Sequence, residues 1–348
     1  MRYKEFKELL FELDPNRAKK MRRIYNKMQE NPAVIDELWK TISSITTDDA
    51  GNFKSRVLVA IDPKNTAPEK DQAYAEGFIG GLVDAIDKTE GTTEERIAFA
   101  QTLGTVNHIN SKALLQPLSG WSDWLVGTEF SKRLFDTMFS LPAFKTNNKG
   151  PGEFALAILS PTIILSKTKG DIVVDRKPIE LKGGLSSSGG RLSPTEGTIG
   201  QLYKNKEFWN SLGLEAVKAG ELGNINKINA NNYSTDLLEK YKLEPEHSVK
   251  ILQSIFRHPG AKGLATKIGK SGTNVKASDL IKLAVKNYGE SQGDDAFLIL
   301  QKDIRTSIYF HIDDLDPILS RLSFSLPLID SDVRTQGRAQ VGILKKSR

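Results

Sequence analysis

Residues 150–182 read GPGEFALAILSPTIILSKTKGDIVVDRKPIELK, and this stretch decides how the rest of the chain is read. Pro151 behind Gly150 suits the first turn of a helix, and a mostly apolar run follows, carrying Glu153. Three β-rich segments come next: Thr162 to Ser166, Asp171 to Val174, and Ile179 to Lys182. Gly and Pro punctuate the breaks at Thr168-Lys169-Gly170 and Arg176-Lys177-Pro178. Side chains alternate faces along a strand, so Glu180 and Lys182 point one way and Leu181 points into a core.

If the second and third segments pair as a hairpin, Asp171 reaches the neighbourhood of Glu180 or Lys182. Two carboxylates form a hard-oxygen donor set, suited to Mg²⁺ or Mn²⁺. Such an ion binds a phosphate oxygen and activates water for in-line attack on phosphorus. Lys182 is then placed to stabilise charge in the transition state, or to position or deprotonate the water. Glu153 adds a carboxylate from one element upstream. The plainer reading is a surface hairpin with a solvated charged face and with Ile172, Val174 and Leu181 packed inward.

Glu153, Asp171, Glu180 and Lys182 together resemble the PD-(D/E)xK, or restriction-endonuclease-like, nuclease superfamily. That superfamily has an acid on a first helix, an Asp at a strand start and Glu-x-Lys on the next strand. The resemblance covers about residues 151–209. Gly170 stands where the motif's name has Pro. The resemblance implies an α/β fold (α+β) with a restriction-endonuclease-like mixed-sheet core; the spacing of apolar residues before it reads as a mostly helical N-terminal region. It implies a Mg²⁺-dependent deoxyribonuclease that hydrolyses phosphodiester bonds. The implied catalytic residues are Asp171, Glu180 and Lys182, and the implied metal ligands are Glu153, Asp171 and Glu180.

The segment from Lys182 to Arg191 is rich in Gly and Ser, with bare amides and one Arg, so a phosphodiester can come close to it. Read as a linker, it has no such role. A helix is expected near Thr198, with Gln201 on it. Between Lys250 and Lys286, Lys and Arg outnumber acids, with Lys262, Lys267 and Lys270 among them. With Arg191, these lysines are the expected nucleic-acid contacts; a solubilising face explains them equally well. Pro259 to Gly263 reads as a loop. An acid-free basic run from Arg17 to Lys27 reads as a solvated helix face before a phosphate contact. The aromatics Trp121, Trp124, Phe130, Phe135 and Phe139 have near-helical spacing, which favours core over a base-stacking platform.

The composition, 39% apolar and 26% charged over 348 residues, is that of an ordinary globular chain with room for two or three domains. The expected divisions are 1–145, mostly helical; 146–215, the motif core; and 216–348, a basic helical segment with strands that complete the sheet. The expected strands are Ala296 to Gln301, Thr306 to Ile312, Arg321 to Leu328 and Arg338 to Leu344; some of them are expected to complete the sheet, and the last two can pair across residues 329–337. A net charge of +6 is compatible with a polyanionic partner such as DNA. The absence of cysteine excludes disulfides, zinc–thiolate sites and thiol nucleophiles. No apolar run is long enough for a membrane span, and the charged start lacks a signal-peptide core, so a cytoplasmic protein is expected. A homodimer is left open. Two rivals stand beside the nuclease: a non-catalytic structural or assembly protein, such as a virion component, and a DNA-binding protein with a degenerate nuclease core.

Overall fold

The structure, a computed structural model, describes residues 32–44, 81–140, 150–166, 169–184, 192, 225–229, 246, 249, 252–253, 256, 258–270, 277–326, 328–331, 334–337 and 340–343. It is mixed α/β and divides into two compact units: Met1–Leu114 with Ser119–Leu181, and Leu115–Leu118 with Lys182–Arg348. The division falls inside one strand. The basic run at Arg17–Lys27, the expected helix near Thr198 and Arg191 lie outside the described residues.

In the first unit, helix α1 spans Pro32–Ser44, residues 81–88 are helical, and α2 spans Thr93–Thr102. Thr92 caps α2 reciprocally: its hydroxyl accepts the Glu95 N–H at 3.2 Å, and its own N–H donates to Glu95 Oε2 at 2.9 Å. A single turn α3 (Ser111–Leu114), strand β1 (Ser119–Gly120), a turn α4 (Trp121–Trp124) and helix α5 (Glu129–Ser140) follow. Trp121, Trp124, Phe130, Phe135 and Phe139 are buried. Trp121 meets Phe135 edge-on at 5.0 Å between centroids, and Trp124 meets the same ring at 5.2 Å. The aromatic spacing is therefore a core.

Helix α6 spans Pro151–Leu159, with Pro in its first turn; Phe154, Ala155, Leu156, Ile158 and Leu159 are all buried. Three antiparallel strands follow it: β2 (Ile163–Leu165), β3 (Ile172–Val174) and β4 (Lys177–Gly184). Their register sets Ile163 opposite Val174, and Ile172 opposite Ile179. Ile172, Val174, Ile179 and Leu181 are buried, as period-two alternation requires. The turn expected at Arg176 to Pro178 is displaced: Lys177 and Pro178 already belong to β4. Asp175 and Arg176 make the turn with φ of 49° and 66°. Left-handed backbone at both central residues matches the twist of a two-residue hairpin, though neither residue is Gly or Asn. Strand β4 also continues through Gly183 and Gly184, where the sequence reads as the start of a flexible loop.

In the second unit, β5 (Ile225–Asn229), helices α7 (Pro259–Gly269) and α8 (Ala277–Gln292), and strands β6 (Ala296–Gln301) and β7 (Thr306–His311) come in order. A 3-10 turn (Asp316–Arg321) leads to β8 (Leu322–Leu326), β9 (Leu328–Ser331), β10 (Arg334–Gly337) and β11 (Gln340–Ile343). All six residues of β6 are buried, the mark of an interior strand. Phe256, Ala261, Ala265, Ile281, Tyr288, Phe297 and Ile308 belong to one core cluster. Strand β11 pairs with β8, as expected, and the segment between them holds the β9–β10 hairpin.

The strands form a six-stranded mixed sheet in the order β1-β7-β6-β4-β3-β2, a two-stranded sheet, and a three-stranded sheet β11-β8-β5. The segment Pro259 to Gly263, read as a loop from its Pro and two glycines, is the first turn of α7 instead. Pro in a helical first turn loses no hydrogen bond, and the Glu290 carboxylate accepts the N–H groups of Gly260 (3.0 Å) and Ala261 (3.3 Å). No helix among the described residues is long and apolar enough to cross a membrane.

Candidate functional site

Asp171 is held to β4 by both its backbone and its side chain. Its N–H donates to the Ile179 carbonyl at 2.9 Å, and its Oδ2 accepts the Leu181 N–H at 3.0 Å. Leu181 separates Glu180 from Lys182. The carboxylate therefore lies against the backbone of the Glu-x-Lys strand, just before β3 begins at Ile172. Gly170 makes this possible. Its φ is +69°, and a Cβ there would sit 2.7 Å from the Ile179 nitrogen, so only glycine fits. Ser166 closes the preceding turn, donating its N–H to the Asp171 carbonyl at 2.9 Å and its hydroxyl to the Lys169 carbonyl at 2.6 Å.

Helix α6 touches the same point of β4. A Cβ on Gly152 would meet Leu181 Cδ2 and Phe139 Cε2, each at 3.0 Å, so the helix's first turn packs closely on the buried face of the strand. Glu153 follows directly and is buried, 7% exposed. Its carboxylate turns back on its own helix start: a Cβ on Gly150 would lie 2.6 Å from Glu153 Oε2. An acid in this position interacts favourably with the unpaired N–H groups and positive end of the helix. Glu153 thus has a local structural task in addition to the ligand role expected for it.

Strand alternation sends Glu180 and Lys182 to the face opposite Leu181, and both are half-buried. Lys182 Nζ lies 5.8 Å from the centroid of the Tyr288 ring. Tyr288 is only 5% exposed, so this cation–π contact draws the ammonium toward an apolar wall. Leu181 is the common reference: Asp171 binds its amide, Gly152 packs on its side chain, and Glu180 and Lys182 flank it. Among the described residues, no three His, Asp or Glu side chains gather into a group that would hold a metal ion. The Asp171 carboxylate lies at the Leu181 amide, and Glu180 is the residue before Leu181 on the same strand.

Sequence reasoning missed two parts of this arrangement: the Leu181 amide as partner of Asp171, and the cap-like placement of Glu153. The glycine before the Asp is the one local signal for the first. Of the expected nucleic-acid contacts, Lys262, Lys267 and Lys270 are exposed on and just after α7, and Arg191 lies outside the described residues. No family model, curated protein or solved structure matches this chain.

Proposed function

We propose that the protein is a Mg²⁺- or Mn²⁺-dependent deoxyribonuclease with a restriction-endonuclease-like core. The observation that carries this reading is the 3.0 Å hydrogen bond from the Leu181 amide to Asp171 Oδ2, which ties the Asp to the Glu180-x-Lys182 strand. The order of elements supports it: a helix bearing an acid, three antiparallel strands, and a mixed sheet. Asp171 and Glu180 supply hard oxygen donors, and water and phosphate oxygens complete the shell of such ions. The metal, when bound, supplies Lewis-acid polarisation of the phosphate and a more acidic water. Lys182 offsets charge that develops on phosphorus oxygens, for which its ammonium leaves the Tyr288 ring. Glu153 serves as an accessory ligand only if its carboxylate swings away from Gly150. The test is plasmid nicking with and without Mg²⁺ or Mn²⁺. Wild-type protein cleaves, and folded Asp171→Ala and Glu180→Ala variants do not; equal cleavage by either variant removes the site assignment.

A second reading has its own support. Glu153 lies against its helix start and Lys182 over Tyr288, so each charged group has a structural use without chemistry. A DNA-binding protein that keeps this fold without the reaction fits those contacts. It binds DNA equally well in EDTA and in Mg²⁺, and it cuts in neither.

A further inference from the structure

The lysines between Lys250 and Lys286 are not one surface. On α8 they are neutralised: Lys282 Nζ lies 2.9 Å from Asp316, and Lys286 Nζ lies 2.9 Å from Asp313. On α7 they are not. Lys262, Lys267 and Lys270 are exposed, and among the described residues none of them makes an ion pair. At about 100° per residue, Lys262, Lys270 and Lys267 fall within one side of the helix, with Gly263 among them. The opposite side, Ala261, Ala265 and Ile268, is buried in the core. A Cβ on Gly263 would meet nothing within 4 Å, so bare backbone is open to solvent between the lysines. An exposed glycine inside a helix is less favourable than alanine, and here it returns nothing in packing. The positive end of α7 is already taken by the Glu290 carboxylate, which leaves the side of the helix as the cationic feature. The helix is also held in place, since Thr266 accepts from Gln253 Nε2 at 2.7 Å and donates to the Lys262 carbonyl at 3.0 Å.

We infer that the exposed face of α7 is a sequence-independent docking surface for the phosphate backbone of a nucleic acid. Lys262 to Lys270 spans about 12 Å of helix, enough to follow several consecutive phosphates of one strand. Gly263 lets that strand approach without a side chain in the way. Its charges are lysine ammonium groups, which meet phosphates as point charges, so the face contributes affinity and salt dependence rather than sequence choice. This inference rests on the DNA-binding part of the proposed function and not on its metal chemistry.

The experiment is fluorescence anisotropy of the full chain with a short labelled duplex of mixed sequence, in EDTA, across a salt titration. Replacing Lys262, Lys267 and Lys270 together by Gln lowers affinity at low salt at least tenfold. It also flattens the log–log salt slope by about 0.9 for each phosphate that is no longer neutralised. Lys282→Gln, which removes a paired lysine, leaves both unchanged. Gly263→Glu weakens binding without changing the circular dichroism spectrum. If the triple variant fails to fold, single Lys262→Gln and Lys267→Gln variants each flatten the slope by about one unit. An unchanged slope and affinity in the folded variants overturns the inference, as does polyglutamate competing for the protein as well as DNA does. Wild-type protein that loses its slope on lysine removal yet never cuts plasmid defeats the nuclease reading alone. Wild-type protein that cuts, with the slope unmoved in the triple variant, defeats this surface alone.

Discussion

Asp171 replaces a ladder partner: its side-chain Oδ2, 3.0 Å from the Leu181 nitrogen, accepts a hydrogen bond from the strand that carries Glu180 and Lys182. This bond fixes where the carboxylate sits and assigns it a cost if removed. Asp171→Ala leaves a half-buried amide without its acceptor, which costs about 1–2 kcal/mol in urea denaturation. Asp171→Asn keeps an acceptor oxygen and removes the charge. It should retain most of that stability while abolishing metal-stimulated nicking. Full activity in Asp171→Asn would separate the carboxylate from any metal chemistry.

Gly170 governs the same turn. Gly170→Ala meets both a φ of +69° and the Ile179 backbone at 2.7 Å. The expected loss exceeds the roughly 1 kcal/mol of left-handed strain alone, because the β3–β4 pair must also shift. A urea midpoint equal to that of the wild type would show that the turn can relax.

Trp121 separates a core from a stacking platform. It is fully buried and touches Phe135, Phe139 and Trp124. Trp121→Ala is expected to cost about 3–5 kcal/mol. A variant that stays as stable as wild type but loses affinity for single-stranded DNA would reverse the assignment.

His108 makes stability depend on pH. It is buried beside the Phe99 ring, its Nε2 lies 3.0 Å from the Thr102 hydroxyl, and burial holds its pKa below the ordinary 6.5. The unfolded chain therefore binds a proton at this residue at higher pH than the folded chain does. Its contribution is full above 6.5 and is lost as pH falls through 6.5 toward the depressed folded value. Urea midpoints at about pH 7.5 and about pH 5.5 should differ, and His108→Asn should narrow the difference. No narrowing would assign the acid sensitivity elsewhere.

Glu290 is the remote cap of α7. Glu290→Ala strips the acceptor from Gly260 and Ala261, with an expected loss of about 1–2 kcal/mol. Hydrogen exchange in the first turn of α7 should rise with it. Exchange unchanged in that turn would mean that packing alone holds the helix start.

The chain by itself determined those elements whose signal is local. Alternating apolar residues specified strands β3 and β4, Gly170 marked the break before β3, and an uninterrupted apolar run specified β6. Thr92 and Glu95, three residues apart, specified the start of α2. Tertiary structure decided whatever depends on partners far along the chain. Pro259 to Gly263 became helix through a carboxylate 30 residues away, and Lys286 lost its free charge to Asp313, 27 residues on. The candidate site divides in the same way. Glu180 and Lys182 share a face because a strand alternates, but the place of the Asp171 carboxylate came from a bond to Leu181 that only the folded hairpin makes. Periodicity is written into neighbouring residues, whereas caps, ion pairs and burial arise only when distant segments meet.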